Sequence, residues 1–240
     1  MTGASRSIGA ATATLLASQG AAVAVNYLHS RKRALELVDS IESADGRAIA
    51  VRADVRERDQ VDAMVKEVNR HLGAIDTLVL NASIGFPTVP ILDFSWEAFE
   101  AKLTGELKAA FFSCQAVAPS MVESGGGCIV VVSSGLSRFS APRMSAHSTA
   151  KAGLDSFARS LAIELAHHSI RVNTVGPGLT ITDATAGLPQ DQKDAIAQGT
   201  PLGRNAEPED VAGVILTLAS DYSGFVTGSY VPVSGGRQML

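Results

Sequence analysis

The sequence predicts a three-layer α/β/α fold on a doubly wound parallel sheet, and three observations carry that prediction. Short apolar, β-branched runs alternate with longer amphipathic stretches along nearly all 240 residues. The apolar runs, such as Ile129-Val130-Val131-Val132, lack polar alternation, so helices should cover both faces of the sheet. A glycine-rich turn, Thr2-Gly3-Ala4-Ser5-Arg6-Ser7-Ile8-Gly9, opens the first helical stretch.

The strands are expected at Ala21–Asn26, Ala48–Ala53, Thr77–Asn81, Cys128–Ser133, Arg171–Val175 and Ser229–Val233. Helices are expected at Ile8–Ser18, Lys32–Ala44, Arg58–Leu72, Trp96–Glu123, Ala146–His167 and Pro208–Ser220. Ser95 caps the fourth, and Glu207-Pro208 starts the last with proline in its first turn. The Gly125–Gly127 run reads as a helix-to-strand turn, so residues 1–240 are expected to form one nucleotide-binding domain. One element is missing from the pattern: no strand precedes Gly3, although a central strand normally presents such a turn. The expectation is a sequence that begins late, or a sheet closed in another way.

Composition narrows the function classes. Hydrophobic residues make up 46% and charged residues 18%, enough for a core and too apolar for disorder. A net charge of −4 with no basic face argues against nucleic acid as a partner. No run approaches the ~18 apolar residues of a membrane span, and the N-terminus has no signal-peptide pattern. Cys114 and Cys128 have no metal-ligand spacing and read as free, buried and inert, as in a reducing cytoplasm. No metal site is expected.

The glycine turn carries the first chemistry. Gly3 permits a tight turn, the amides of the following helix face a pyrophosphate, and Gly9 lets that helix pack closely. This makes the fold Rossmann-type. The turn resembles the TGxxxGxG turn of the short-chain dehydrogenase/reductase family, with Ser7 in place of the middle glycine. Further resemblances follow in order: Asp54-Val55 to the pair beside adenine, and Leu80-Asn81-Ala82-Ser83 to the NNAG motif. Ser134 follows the expected fifth strand of the family, and His147-Ser148-Thr149-Ala150-Lys151 stands in place of YxxxK. Arg171 to Gly178, ending Gly176-Pro177-Gly178, resembles the strand and PG turn beneath the nicotinamide, and Gly228 and Ser234-Gly235-Gly236 match the C-terminal pattern. The likeness is nearest to the 3-oxoacyl-carrier-protein reductase branch. It implies a carbonyl reductase, with Gly3, Ser5, Ile8, Gly9, Tyr27, Asp54, Val55, Asn81, Ala82, Ser83, Lys151, Pro177 and Gly178 toward the cofactor.

The end of the second expected strand, Val25-Asn26-Tyr27-Leu28-His29-Ser30, has no carboxylate to bind ribose hydroxyls or repel a 2′-phosphate. Arg6 suits a phosphate geometrically, and Asn26, Ser30 and Arg31 are placed to complete its pocket. NADPH (NADP+) is therefore the expected cofactor.

The resemblance implies a tetrad of serine, tyrosine, lysine and asparagine. Ser134 and Lys151 are present, but His147 takes the tyrosine position thirteen residues after Ser134, and Glu106 takes the asparagine position. His147 and Lys151 are i and i+4, on one helix face. An imidazolium is a competent proton donor; Lys151 would favour neutral imidazole and a nearby Glu106 the imidazolium, so the three side chains form a possible relay. Two other readings stand beside this one: a non-redox lyase or cyclase using the same groups, and a nucleotide-binding protein that has lost the chemistry.

The segment 179–205 reads as a mobile substrate lid of low periodicity. In it Thr180 and Thr182 either touch the nicotinamide amide or cap a helix. Phe86, Pro87, Val89, Pro90, Phe139 and Met144 are candidate walls for a medium-sized, largely apolar carbonyl substrate. The resemblance implies a homodimer or homotetramer paired through the two long helices.

Overall fold

A computed structural model describes residues 1–238. Six strands, all in parallel register, fall in two sheets: β1 (Ala22–Tyr27) beside β2 (Arg47–Arg52), and β3 (Thr77–Leu80), β4 (Gly127–Val132), β5 (Ile170–Pro177) and β6 (Tyr230–Val233) in that order. Among the described residues, seven α-helices surround them: α1 (Ser7–Ser18), α2 (Arg31–Ser43), α3 (Arg58–Leu72), α4 (Trp96–Glu123), α5 (Ser145–Leu165), α6 (Gln190–Gln198) and α7 (Pro208–Ala219).

The apolar strands are buried on both sides. Leu78, Leu80, Ile129 and Val131 face a core shared with α3, α4 and α5. The alternate residues Val79, Cys128, Val130 and Val132 face α7, and a third cluster joins β1 with α1 and α2. That alternation produces the three layers. Ser95 Oγ accepts from Ala98 N at 3.2 Å as the α4 cap, and Pro208 begins α7. Both cysteines are buried and free; burial pushes the Cys114 thiol up to about 12.

The sheet is interrupted between β1 and β3. Residues 1–4 bridge the C-terminal ends of these strands: Thr2 N donates to Val79 O at 3.0 Å, Asn26 N to Met1 O at 3.2 Å and Ala4 N to Asn26 O at 2.9 Å. Below this bridge lies a cavity of about 360 Å³ lined by side chains including Leu16, Val23, Met64, Val68, Val79 and Val117.

The segment expected to be low in periodicity has regular structure of its own. Residues 179–205 carry a 3-10 turn at Asp183–Thr185 and the helix α6, and Thr180 makes an isolated parallel bridge to Ala206. Pro189 sets the α6 entry, and its polar sequence hid the helical period.

Candidate active site

The glycine turn is built as its residues require. Gly3 has φ +59°, and a Cβ at Gly9 would lie 2.5 Å from Gly3 O. The chain therefore doubles back as tightly as only glycine allows. Thr2, which the sequence reading passed over, ties the turn to β3: its hydroxyl accepts from Asn81 N at 2.9 Å and Ala82 N at 3.0 Å. Asn81 Nδ2 returns bonds to Thr2 O and Gly3 O. Ser7, in place of a glycine, takes φ +51°. No side chain caps α1, so its first-turn amides are open to an anion.

Several expected cofactor residues are engaged otherwise. Asn26 is buried; its Oδ1 accepts from Gly3 N at 3.1 Å, and its Nδ2 donates to Ala53 O at 3.1 Å. It shapes the turn and has no amide group left for a phosphate. Tyr27 and Val55 belong to the hydrophobic core. The Asp54 carboxylate is held by Arg56 through Nε at 2.8 Å, which with its hydrogen bonds keeps the carboxyl below its ordinary range despite burial. Thr182 N donates to Thr185 Oγ1 at 3.0 Å, and Thr180 Oγ1 donates to Gly178 O at 3.3 Å; both threonines serve local turns. Gly178 N is fixed by Val233 O at 2.9 Å, just beyond Pro177. Ser5, Ile8 and Ser30 flank the turn and the α2 entry, and the Ser30 side chain caps nothing.

Arg6, expected to bind a phosphate, is exposed at the turn, and the arginine that shares its carboxylate partner is Arg33. Both guanidiniums reach Asp183 of the 179–205 segment, Arg6 at 3.6 Å and Arg33 in a close ion pair. Arg33 lies in the first turn of α2 on the side facing Asp183, a placement that helix phase settles and linear spacing does not.

The expected catalytic residues divide. His147, Lys151 and Glu106 come together between α4 and α5. Lys151 Nζ meets Glu106 Oε2 at 3.1 Å and donates to Val132 O at 3.0 Å, anchoring it to the end of β4. Glu106 Oε1 accepts from Ser83 Oγ at 2.6 Å, Ile84 N at 3.0 Å and Lys102 Nζ. Burial raises the Glu106 carboxyl, but Lys151, Lys102 and these hydrogen bonds outweigh it and bring the group down to about 2. Ser134 stands at the end of β4, where its Oγ accepts from Leu136 N at 3.2 Å; the hydroxyl retains its proton as a donor.

The proposed carboxylate–imidazole link of the relay is not made. His147 Nδ1 is buried and unpartnered, and among the described residues neither ring nitrogen makes a hydrogen bond. The ring stacks on Phe86, centroids 5.4 Å apart and 18° between planes. Burial first, then Lys151 and Lys102, push the imidazole down to about 4, overriding Glu106. His147 is thus neutral near pH 7. Of the expected substrate walls, Phe86 reaches the centre, while Phe139 is partly exposed beyond Ser134.

Lys102 was missed. A lysine in a long amphipathic helix reads as solvated, yet its side chain is 0% exposed and pairs with Glu106 one turn later. The i, i+4 spacing of Lys102 and Glu106 was the available signal. Among the described residues, no cluster of His, Cys, Asp or Glu is arranged to hold a metal, and no helix is long and apolar enough to cross a membrane.

Comparison with known proteins gives the family. Residues 3–238 match the family model described as enoyl-(acyl carrier protein) reductase. The chain is 38% identical to cis-4-hydroxycyclohexanecarboxylate dehydrogenase of Sinomonas cyclohexanicum, over 98% of this chain and 94% of that one. It is 34% identical to a 3-oxoacyl-[acyl-carrier-protein] reductase of Staphylococcus epidermidis, over 100% and 98%. Among solved structures, a short-chain type dehydrogenase/reductase from Mycobacterium marinum superposes with a TM-score of 0.94 at 35% identity, covering 100% of this chain and 94% of that one. A 7α-hydroxysteroid dehydrogenase, complexed with NADH and a 7-oxo bile acid conjugate, gives 0.93 at 31% identity, covering 98% and 91%. The chain belongs to the short-chain dehydrogenase/reductase family, whose members act on alcohol and carbonyl groups with a nicotinamide cofactor.

Proposed function

We propose that the protein is an NADP(H)-dependent oxidoreductase that reduces the ketone of a medium-sized, largely apolar or acyl-like substrate through an atypical Ser134–His147–Lys151 centre. The observation that carries this reading is His147: an imidazole with no hydrogen bond, stacked on Phe86 and one helical turn from Lys151, at the mouth of a family nucleotide fold. The uncapped α1 terminus, the Gly3–Gly9 turn and Lys151 fit a dinucleotide, which supplies hydride when bound. Arg6 and Arg33, with no carboxylate at the end of β1, support the 2′-phosphorylated form.

Ser134 Oγ–H would polarise the carbonyl, and His147 would pass the proton to or from the oxygen. Neutral imidazole accepts the alcohol proton directly; in the reduction it must first be protonated, so the reaction toward alcohol is favoured by acid. The cation of Lys151 stabilises negative charge developing on that oxygen. Assembly through α4 and α5 as a homodimer or homotetramer is part of this proposal; Phe111 and Ile163 on those helices are exposed. The test is NADPH and NADH oxidation with a panel of ketones. Turnover preferring NADPH and reduced about 100-fold or more by His147→Ala is expected.

Two observations favour a second reading, nucleotide binding without turnover. Lys151 is already paired with Glu106 and Ser134 Oγ already serves a local turn. NADPH binding with turnover only after His147→Tyr would select it.

A further inference from the structure

The centre holds a second buried cation with no assigned part. Lys102 Nζ spends its donors on Glu106, on Ile84 O at 2.7 Å and on Ser83 Oγ at 3.2 Å. It also lies 5.1 Å from the centroid of Phe86, the ring stacked on His147. Its side chain is 0% exposed, that of Glu106 1% and that of Lys151 4%. Charges so enclosed are weakly screened and act strongly on one another.

We propose that Lys102 is a positioning residue that sets the charge of the catalytic centre, neutralising Glu106 so that Lys151 leaves one net positive charge facing His147, and bracing Phe86 against the imidazole. This rests on the reading of His147 as the proton-transfer group. The charged groups facing His147 are Lys151 from its own helix and Lys102 and Glu106 from α4. The 81–90 segment brings Ser83 and Phe86, which carry no charge there; Arg138, beyond Ser134, is turned onto Asp155 and the Tyr230 ring. Two lysines and one glutamate leave a single positive charge. Without Lys102 the cluster is neutral, and without Glu106 it carries two. The consequence is functional: Lys102 biases the resting centre toward the proton-accepting imidazole.

Removing both partners tests this, because Lys102→Met combined with Glu106→Gln restores the net charge of the native cluster. The His147 imidazole is titrated by NMR in the native protein, in each single variant and in the double variant, with His147→Phe assigning its signal. The expected midpoints run upward from Glu106→Gln, through the native protein and the double variant together, to Lys102→Met, with steps of about one pH unit. The pH midpoint of kcat for ketone reduction moves in the same order. A lysine that only fills space would leave the titrations coincident, or leave the double variant displaced with Lys102→Met; either result overturns the proposal. Should Lys102→Met alone not fold, Glu106→Gln and the double variant still differ by the Lys102 charge, and coincident titrations there overturn it equally. Ordered titrations with turnover indifferent to His147→Ala support the charge-setting role and overturn the catalytic reading alone.

Discussion

Replacing His147 with phenylalanine should flatten the acid side of the protein's stability curve. In the folded protein the imidazole is lowered from 6.5 to about 4, chiefly by burial and then by Lys151 and Lys102. Between those values the unfolded chain binds a proton that the folded one refuses. The stabilisation is therefore complete above pH 6.5 and lost as pH falls through 4, amounting to about 3 kcal/mol at most. His147→Phe keeps the stack on Phe86 and removes a buried nitrogen without a partner. Urea unfolding of both proteins at pH 7.5, 5.5 and 4.0 provides the assay, since every other titrating group contributes equally to the two. The variant should match or exceed the native protein at pH 7.5, and its relative advantage should grow by about 2–3 kcal/mol by pH 4. Curves that stay parallel across that window would refute the buried, uncharged imidazole.

Three further outcomes follow from the nucleotide side. Asp183→Asn frees Arg6 and Arg33 from their shared carboxylate, so NADPH should bind a few-fold tighter by fluorescence titration while NADH affinity stays unchanged. Equal gains for both cofactors would place the arginines away from the 2′-phosphate. Ser7→Gly relieves a left-handed serine at φ +51°; about 1 kcal/mol of stability, or ~2–4 °C in Tm, is expected from calorimetry. Gly9→Ala pushes a methyl to within 2.5 Å of Gly3 O and should weaken dinucleotide binding about tenfold or more with far-UV circular dichroism retained.

The parallel sheet and most of its helices were legible because β-branched runs and amphipathic stretches differ in period, and burial on both faces removes polar alternation from the strands. The gap before Gly3 was legible as a break in that alternation. Other features required three dimensions. Asn26 stands at a cofactor position in the linear pattern, yet the fold turns its amide onto Gly3 and Ala53. Arg33 and Arg31 differ by two positions, nearly opposite on a helix, so only helix phase decides which one shares Asp183 with Arg6. The α6 helix escaped because its surface is almost wholly polar, leaving no apolar period to read. Glu106 was found by its place in the family pattern, but Lys102 was not: burial of a charged pair cannot be read from residue type, which favours the solvated face.

The central claim is that His147 transfers the proton, and a pH–rate profile measured in both directions tests it most directly. With NADPH and a ketone, kcat should fall as pH rises above the His147 midpoint; with NADP+ and the corresponding alcohol it should be flat near neutrality and fall in acid, and His147→Ala should lower both by about 100-fold or more. Profiles unchanged in position and height by His147→Ala would contradict the account.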